Sequence, residues 1–157
     1  MHQSYRYAIA YFAIFGALLL ISGAILFVSK LGLSYESVSL FYLGNKEQFC
    51  QPKSAYGLLE TALPHLGAMG LFIFVTGHFL LFSSKAQKHK AILPIKLLFI
   101  AAFLDILSGF LIVEGFHFFI WIKIISFLLL QLLGLYLLFV LFNNVIKGIA
   151  FGKENGK

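Results

Sequence analysis

Four long apolar runs constrain the fold of this chain more than any other feature of its sequence. They cover roughly residues 7–28, 58–82, 92–113 and 124–145. Each matches or exceeds the about 20 residues that a helix needs to cross the hydrocarbon core of a bilayer. Because lipid offers a backbone no hydrogen-bond partner, each run must form a helix. The sequence therefore predicts one all-α membrane domain over residues 1–157, a bundle of four transmembrane helices.

The composition excludes several other classes of protein. Only 11% of the 157 residues are charged and 61% are hydrophobic, whereas a soluble domain carries about 25% charged residues. The net charge of +6 does not indicate a nucleic-acid partner, because the basic residues flank the apolar runs, where they act as topology signals and contact anionic lipid. The single cysteine, Cys50, excludes a disulfide or a CxxC site within one chain.

The distribution of Lys and Arg predicts the orientation in the membrane. Eight basic residues fall on the side of the termini: Arg6, Lys85, Lys88, Lys90, Lys96, Lys147, Lys153 and Lys157. Four fall on the other side: Lys30, Lys46, Lys53 and Lys123. The positive-inside rule then places both termini in the cytoplasm of a bacterial inner membrane, with the loop of residues 30–56 outside.

The connecting segments are predicted from their polar and aromatic residues. In the outer loop, residues 34–43 are expected to form a short helix at the membrane interface, ending at Gly44. Residues 83–90 are expected to form a tight polar turn, and residues 114–123 a short aromatic corner. Pro64 is expected in the first turn of span two or at a kink in it.

Polar residues within the spans fall into two groups by depth. An outer group, at the ends of spans two and three, contains Glu60, His65, Glu114 and His117. A mid-membrane group contains Asp105, Ser108 and Gln131. Such residues either bond neighbouring helices or mark a functional site. For Asp105 the alternatives are a structural bond to Gln131 or Ser108 and a proton relay.

Span two carries the pattern that most favours a cofactor. Its two histidines, His65 and His78, lie thirteen positions apart, which is about 20 Å along a helix. His65 is followed by Gly67 and Gly70, and His78 is preceded by Gly77. Neutral imidazole is a common axial haem ligand, and glycines let a flat porphyrin approach the backbone.

On these residues, span two resembles the ligand helix of membrane b-type cytochromes, in which two histidines serve two haems. The spacing here is H-x12-H rather than the usual H-x13-H, and thirteen steps turn a helix by about 220°, so the two rings point to different faces. The resemblance therefore implies one haem b, held near the outer face by His65 and His117, with His78 as a further candidate. The corresponding function is a haem- or quinone-linked electron-transfer subunit.

Three alternatives remain open. Glu60, His65, Glu114 and His117 could bind zinc, copper or iron as a mixed carboxylate and imidazole set. A second alternative is a non-catalytic anchor or assembly subunit of a larger respiratory complex, or a homo-oligomer. Transport of an ion or solute would rest on Asp105 and Gln131.

The segment YLGNKEQFCQPKSAYGLLETALPHLGAMG, residues 42–70, is similar to that of small four-span bacterial inner-membrane proteins without an assigned activity. This resemblance implies the topology and draws attention to the surroundings of His65. No P-loop, dinucleotide fingerprint, nucleophile elbow or HExxH motif occurs in the sequence.

Overall fold

A computed structural model describes residues 3–45, 49–81 and 85–146 of the protein. These residues form five helices: α1 (Gln3–Lys30), α2 (Tyr35–Leu43), α3 (Ala55–Leu81), α4 (Lys85–Val113) and α5 (Phe119–Ile146). All but α2 are long and apolar enough to cross a membrane. The prediction of an all-α membrane protein with four spans and a short additional helix is confirmed.

All four long helices begin before their apolar runs, and the difference is largest for α4 and α5. Helix α4 begins at Lys85, so the described part of the expected polar turn, residues 85–90, is helical. Helix α5 begins at Phe119, which shortens the expected corner to residues 114–118. Hydropathy marks where lipid contact ends, whereas a helix continues wherever its backbone bonds remain favourable. For the same reason Pro64 lies inside α3, because the helix begins at Ala55.

The four long helices pack in the order α3, α4, α5, α1, with α4 and α5 in the most extensive contact. One hydrophobic core runs between them and includes Leu20, Phe72, Leu98 and Leu137. Glycine permits close approach at two places. A Cβ atom at Gly16 would lie 2.9 Å from Cε2 of Phe72, and one at Gly134 would lie 2.8 Å from Cδ1 of Leu20.

Helix α2 covers one end of the bundle, which we call the loop end. Its first turn is closed by a capping box, in which Ser34 accepts a hydrogen bond from the backbone of Ser37 at 3.1 Å. Its last turn ends at Gly44, whose φ of +70° suits glycine. Because its inner face is apolar, α2 buries that face against α3, α4 and α5 in a second core of Val38, Tyr42, Leu58, Ile112, Ile120 and Ile124.

Candidate functional site at the loop end

A buried ion pair joins α4 to α5 below this second core. Oδ1 of Asp105 lies 2.9 Å from Nζ of Lys123, and the two side chains are only 7% and 10% exposed. The same Nζ donates a hydrogen bond to the backbone carbonyl of Asp105 at 2.7 Å. It also lies 5.9 Å above the centre of the Phe27 ring, within the range of a cation–π interaction. Lys123 therefore contacts a carboxylate, a carbonyl and an aromatic face.

Hydroxyl groups satisfy the backbone around this pair. Ser108 donates to the carbonyl of Asp105 at 2.9 Å, and Ser126 donates to the carbonyl of Lys123 at 3.1 Å. Oδ1 of Asp105, by contrast, accepts no well-aligned hydrogen bond from the described residues, although the ammonium group of Lys123 is near. Oδ1 and the ammonium group of Lys123 therefore attract each other by charge at close distance. The well-aligned hydrogen bond of Lys123 goes instead to the backbone carbonyl of Asp105.

Tyr42 of α2 lies over this site. Its hydroxyl would be 3.2 Å from a Cβ atom at Gly109, so the ring rests directly on the bare backbone of α4. Burial raises the pKa of the Tyr42 hydroxyl, and the negative charge of Asp105 raises this pKa further. Tyr42 is therefore a neutral phenol at physiological pH, able to donate a hydrogen bond but not to act as a base.

His65 lies on the exposed side of α3, within electrostatic range of both Asp105 and Lys123. None of the hydrogen bonds among the described residues reaches its imidazole. Its neighbours Leu66, Gly67 and Ala68 are also exposed. A Cβ atom at Gly67 or Gly70 would meet no atom of the described residues within 4 Å. We call this surface, which residues 65–68 and Gly70 of α3 form while Met69 points into the core, the open face.

The remaining candidates are more scattered. Glu60, Glu114 and His117 are exposed, and no three His, Cys, Asp or Glu side chains gather into a metal-binding group in the described part of the chain. His78 is exposed, with its ring centre 6.3 Å from that of Phe74.

The side chain of Asp105 has a different partner from the two that the sequence predicted, Gln131 and Ser108. Its carboxylate pairs with Lys123, while the hydroxyl of Ser108 contacts its backbone. Gln131 faces α1, where its Nε2 would lie 3.8 Å from a Cβ atom at Gly23.

Lys123 was predicted from the sequence to be a topology signal outside the membrane, but it is part of this site. A signal for it existed: Asp105 and Lys123 each lie nine positions from Glu114, in the corner between α4 and α5. Residues equally far from the corner of a helical hairpin lie at similar depth, so opposite charges at these positions can meet. Hydropathy did not reveal the pair because Lys123 stands at the edge of its apolar run.

Comparison with known proteins identifies the family of the chain. No curated protein and no solved structure matches the chain. A family model described as a transmembrane helical domain matches residues 32–151, which include α2 and three of the four spans. The chain therefore belongs to the Aq_1264_TM family of transmembrane helical domains.

Proposed function

We propose that the protein is a membrane electron-transfer subunit that binds a b-type haem at the open face and exchanges electrons with membrane quinone. The observation that carries the proposal is the imidazole of His65, which lies in a span without a hydrogen bond to the described residues. Burying a polar group in lipid without a partner is costly. A metal-centred cofactor would supply that partner.

The open face fits a flat macrocycle. Gly67 and Gly70 carry no side chain to hold a ring away from the helix, and none of the described residues places an atom within 4 Å of where their Cβ atoms would lie. His65 would be one axial ligand and His117 the second. His78 is the reserve candidate, at the opposite end of α3. The protein would contribute ligation and an apolar surround, and the haem would supply the redox chemistry.

An absorption spectrum of the protein purified in mild detergent tests this proposal. We expect a Soret band that is lost in His65→Ala and weakened in Gly67→Leu, because the leucine occupies the open face. Gly23→Leu, on α1, is the control for a bulky residue in a span, and His78→Ala tests the reserve ligand. A wild-type protein without a Soret band or extractable haem would exclude haem, and metal analysis of that sample tests the Glu60, His65, Glu114 and His117 set.

A second candidate function, a membrane anchor or assembly subunit, is favoured by the uneven covering of the spans. Within α1 and α3 only 22% and 17% of the most apolar stretch is buried, against 39% and 44% within α4 and α5. The outer pair of helices thus leaves most of its surface to lipid or to another subunit. If this function is correct, a stoichiometric partner copurifies with the wild-type protein and with Gly23→Leu, but not with Gly67→Leu.

We further propose that the protein lies in the bacterial cytoplasmic membrane with both termini inside. Removing the buried Lys123 from the count of loop charges leaves eight basic residues on the side of the termini and three on the other. The bias therefore keeps its direction, and it becomes stronger.

A further inference from the structure

We propose that a cavity at the loop end binds the phosphate headgroup of an anionic phospholipid, while one acyl chain of that lipid lies along α1. The cavity has a volume of about 590 Å³ and lies between the last turn of α1, helix α2 and residues 50–53 of the outer loop. This volume is within the range of about 300–1,000 Å³ that is usual for small-ligand sites. The inference goes beyond haem binding and does not depend on it, because the open face is on α3.

The charged residues that line the cavity are both lysines. Lys30 belongs to the last turn of α1 and Lys53 to the outer loop, and none of the described lining residues is acidic. Nζ of Lys53 lies 4.8 Å from the centre of the Phe41 ring, within the range of a cation–π interaction, so its ammonium group is held at the wall of the cavity. Gln51 also lines the cavity, and its side-chain amide is a hydrogen-bond donor. These residues provide the positive charge and the donors that a phosphate group requires.

Backbone hydrogen bonds hold the outer loop against α2 and bring Lys53 to this wall. The N–H of Lys53 donates to the carbonyl of Tyr42 at 2.9 Å, and the backbones of Asn45 and Cys50 exchange two hydrogen bonds of 3.0 Å. A Cβ atom at Gly44 would collide with the carbonyl oxygen of Cys50, so the absence of a side chain there allows the loop to lie this close. Two lysines that are distant in the sequence therefore line the same cavity.

An apolar stripe on α1 continues from the cavity into the membrane. The candidate span of α1 is Tyr7–Lys30, so the cavity lies at its end, at the level of lipid headgroups. Val28 lines the cavity and is exposed, and Ile25, Ile21 and Leu18 are exposed at helical spacing on the same face. We call these four residues the α1 stripe. Its ten steps cover about 15 Å, which is half of the about 30 Å thickness of the hydrocarbon core.

The α1 stripe favours a phospholipid over a free phosphate ion as the occupant. A phosphate ion would use only the polar cavity, whose two lysines are exposed, so that water and salt weaken its attraction. A phospholipid places its phosphate in the same cavity and an acyl chain on the α1 stripe, so it uses both surfaces. Only 22% of the most apolar stretch of α1 is buried within the protein, which leaves the stripe available to lipid. Two lysines without a lining carboxylate favour an anionic headgroup over a zwitterionic one.

Native mass spectrometry of the full-length protein in mild detergent tests the ligand, because it resolves each bound lipid by its mass. We expect the first molecule of dioleoyl phosphatidylglycerol to bind about tenfold more tightly than dioleoyl phosphatidylcholine, whose choline cancels the charge of the phosphate. A large excess of inorganic phosphate should leave the bound phosphatidylglycerol in place. Equal affinities for the two lipids overturn the proposal, and displacement by phosphate would show a site for a free anion instead. This comparison uses the wild-type protein and needs no variant.

The role of the lysines is tested by Lys30→Gln and Lys53→Gln, each of which removes one positive charge from the cavity. We expect each variant to bind phosphatidylglycerol about fivefold more weakly and phosphatidylcholine as the wild type does. Lys96→Gln is the charge-matched control, since this exposed lysine of α4 does not line the cavity. A loss in Lys96→Gln as large as in the other two variants would overturn the assignment of the headgroup to this cavity.

The role of the α1 stripe is tested by replacing Ile21, Ile25 and Val28 together with alanine. We expect this variant to bind dioleoyl phosphatidylglycerol about threefold more weakly, because the acyl chain loses dispersion contacts with the stripe. The matched control replaces three exposed leucines with the same spacing on α5, namely Leu128, Leu132 and Leu135. Equal affinities of the two triple variants would show that the acyl chain does not lie on α1.

Discussion

At the scale of single residues, the pairing of Asp105 with Lys123 is the feature with the largest expected effect on stability. A buried ion pair adds little net stability compared with apolar residues of the same size, because both charges lose their hydration. Breaking it from one side is far more damaging, since the remaining charge is left in an apolar surround. The dependence of stability on these two residues should therefore be strongly non-additive.

We expect Lys123→Met to lower the free energy of unfolding by about 3 kcal/mol, because Asp105 then stays buried without its counter-charge. The double variant Asp105→Leu with Lys123→Met should recover most of that loss. Unfolding in mixed micelles of mild detergent and SDS measures both. The idea fails if the double variant is as unstable as the sum of the two single ones.

At the scale of elements, glycines separate the faces that pack from the face that stays open. Gly16 and Gly134 let α1 approach its neighbours, where a side chain would collide with Phe72 or Leu20. A Cβ atom at Gly67 or Gly70, by contrast, would have no neighbour within 4 Å among the described residues. In a membrane, small residues at helix contacts allow the close packing that replaces the hydrophobic effect. Glycine thus allows close helix packing at Gly16 and Gly134, and it leaves the helix surface uncovered at Gly67 and Gly70.

Gly134→Leu and Gly67→Leu form a matched pair for this distinction. We expect Gly134→Leu to destabilise the bundle by about 1–3 kcal/mol, because the new side chain forces α1 and α5 apart. Gly67→Leu should leave the stability of the isolated protein within about 0.5 kcal/mol, since its side chain enters open space. Thermal unfolding of the purified proteins gives both values. Similar losses in the two variants would contradict the assignment of these faces.

At the scale of the whole molecule, the long helices cross the membrane four times and one end of the bundle carries all of α2. Of the six charged and polar residues that are buried in the described part of the chain, four lie towards this end, namely Asp105, Ser108, Lys123 and Ser126, whereas Thr76 and Asn144 lie further towards the other. The opposite end holds the junction between α3 and α4. The two ends of the bundle thus present different surfaces to the two sides of the membrane. The orientation of the protein determines which compartment α2 faces.

Cys50 provides a direct test of that orientation, because it is the only cysteine and its side chain is exposed. We expect a membrane-impermeant maleimide to label Cys50 in intact spheroplasts. Cys50→Ser combined with Lys157→Cys should be labelled only after the membrane is permeabilised, since the tail is then cytoplasmic. The reverse pattern would show that the termini lie outside and that α2 faces the cytoplasm.

Much of the fold was predictable because lipid leaves a backbone few choices. The apolar runs predicted the four spans, and the aromatic residues of the outer loop predicted the helix that begins after Ser34. The histidines and glycines of span two drew attention to His65, whose role stays a prediction. Helix ends were less accurate, as at Lys85 and Phe119, because backbone hydrogen bonding does not stop where hydropathy falls. Local patterns therefore determined whether each segment forms a helix and whether it lies in lipid or in water.

The sequence by itself determined that this protein is a four-span helical membrane protein. Only the tertiary structure decided that Lys123 belongs to Asp105, that α2 closes the loop end through Tyr42 and Gly109, and that Gly67 faces open space while Gly134 does not. The physical reason is that hydropathy is a property of one segment. Pairing, covering and close approach are properties of two segments, and they depend on how the helices are rotated against each other.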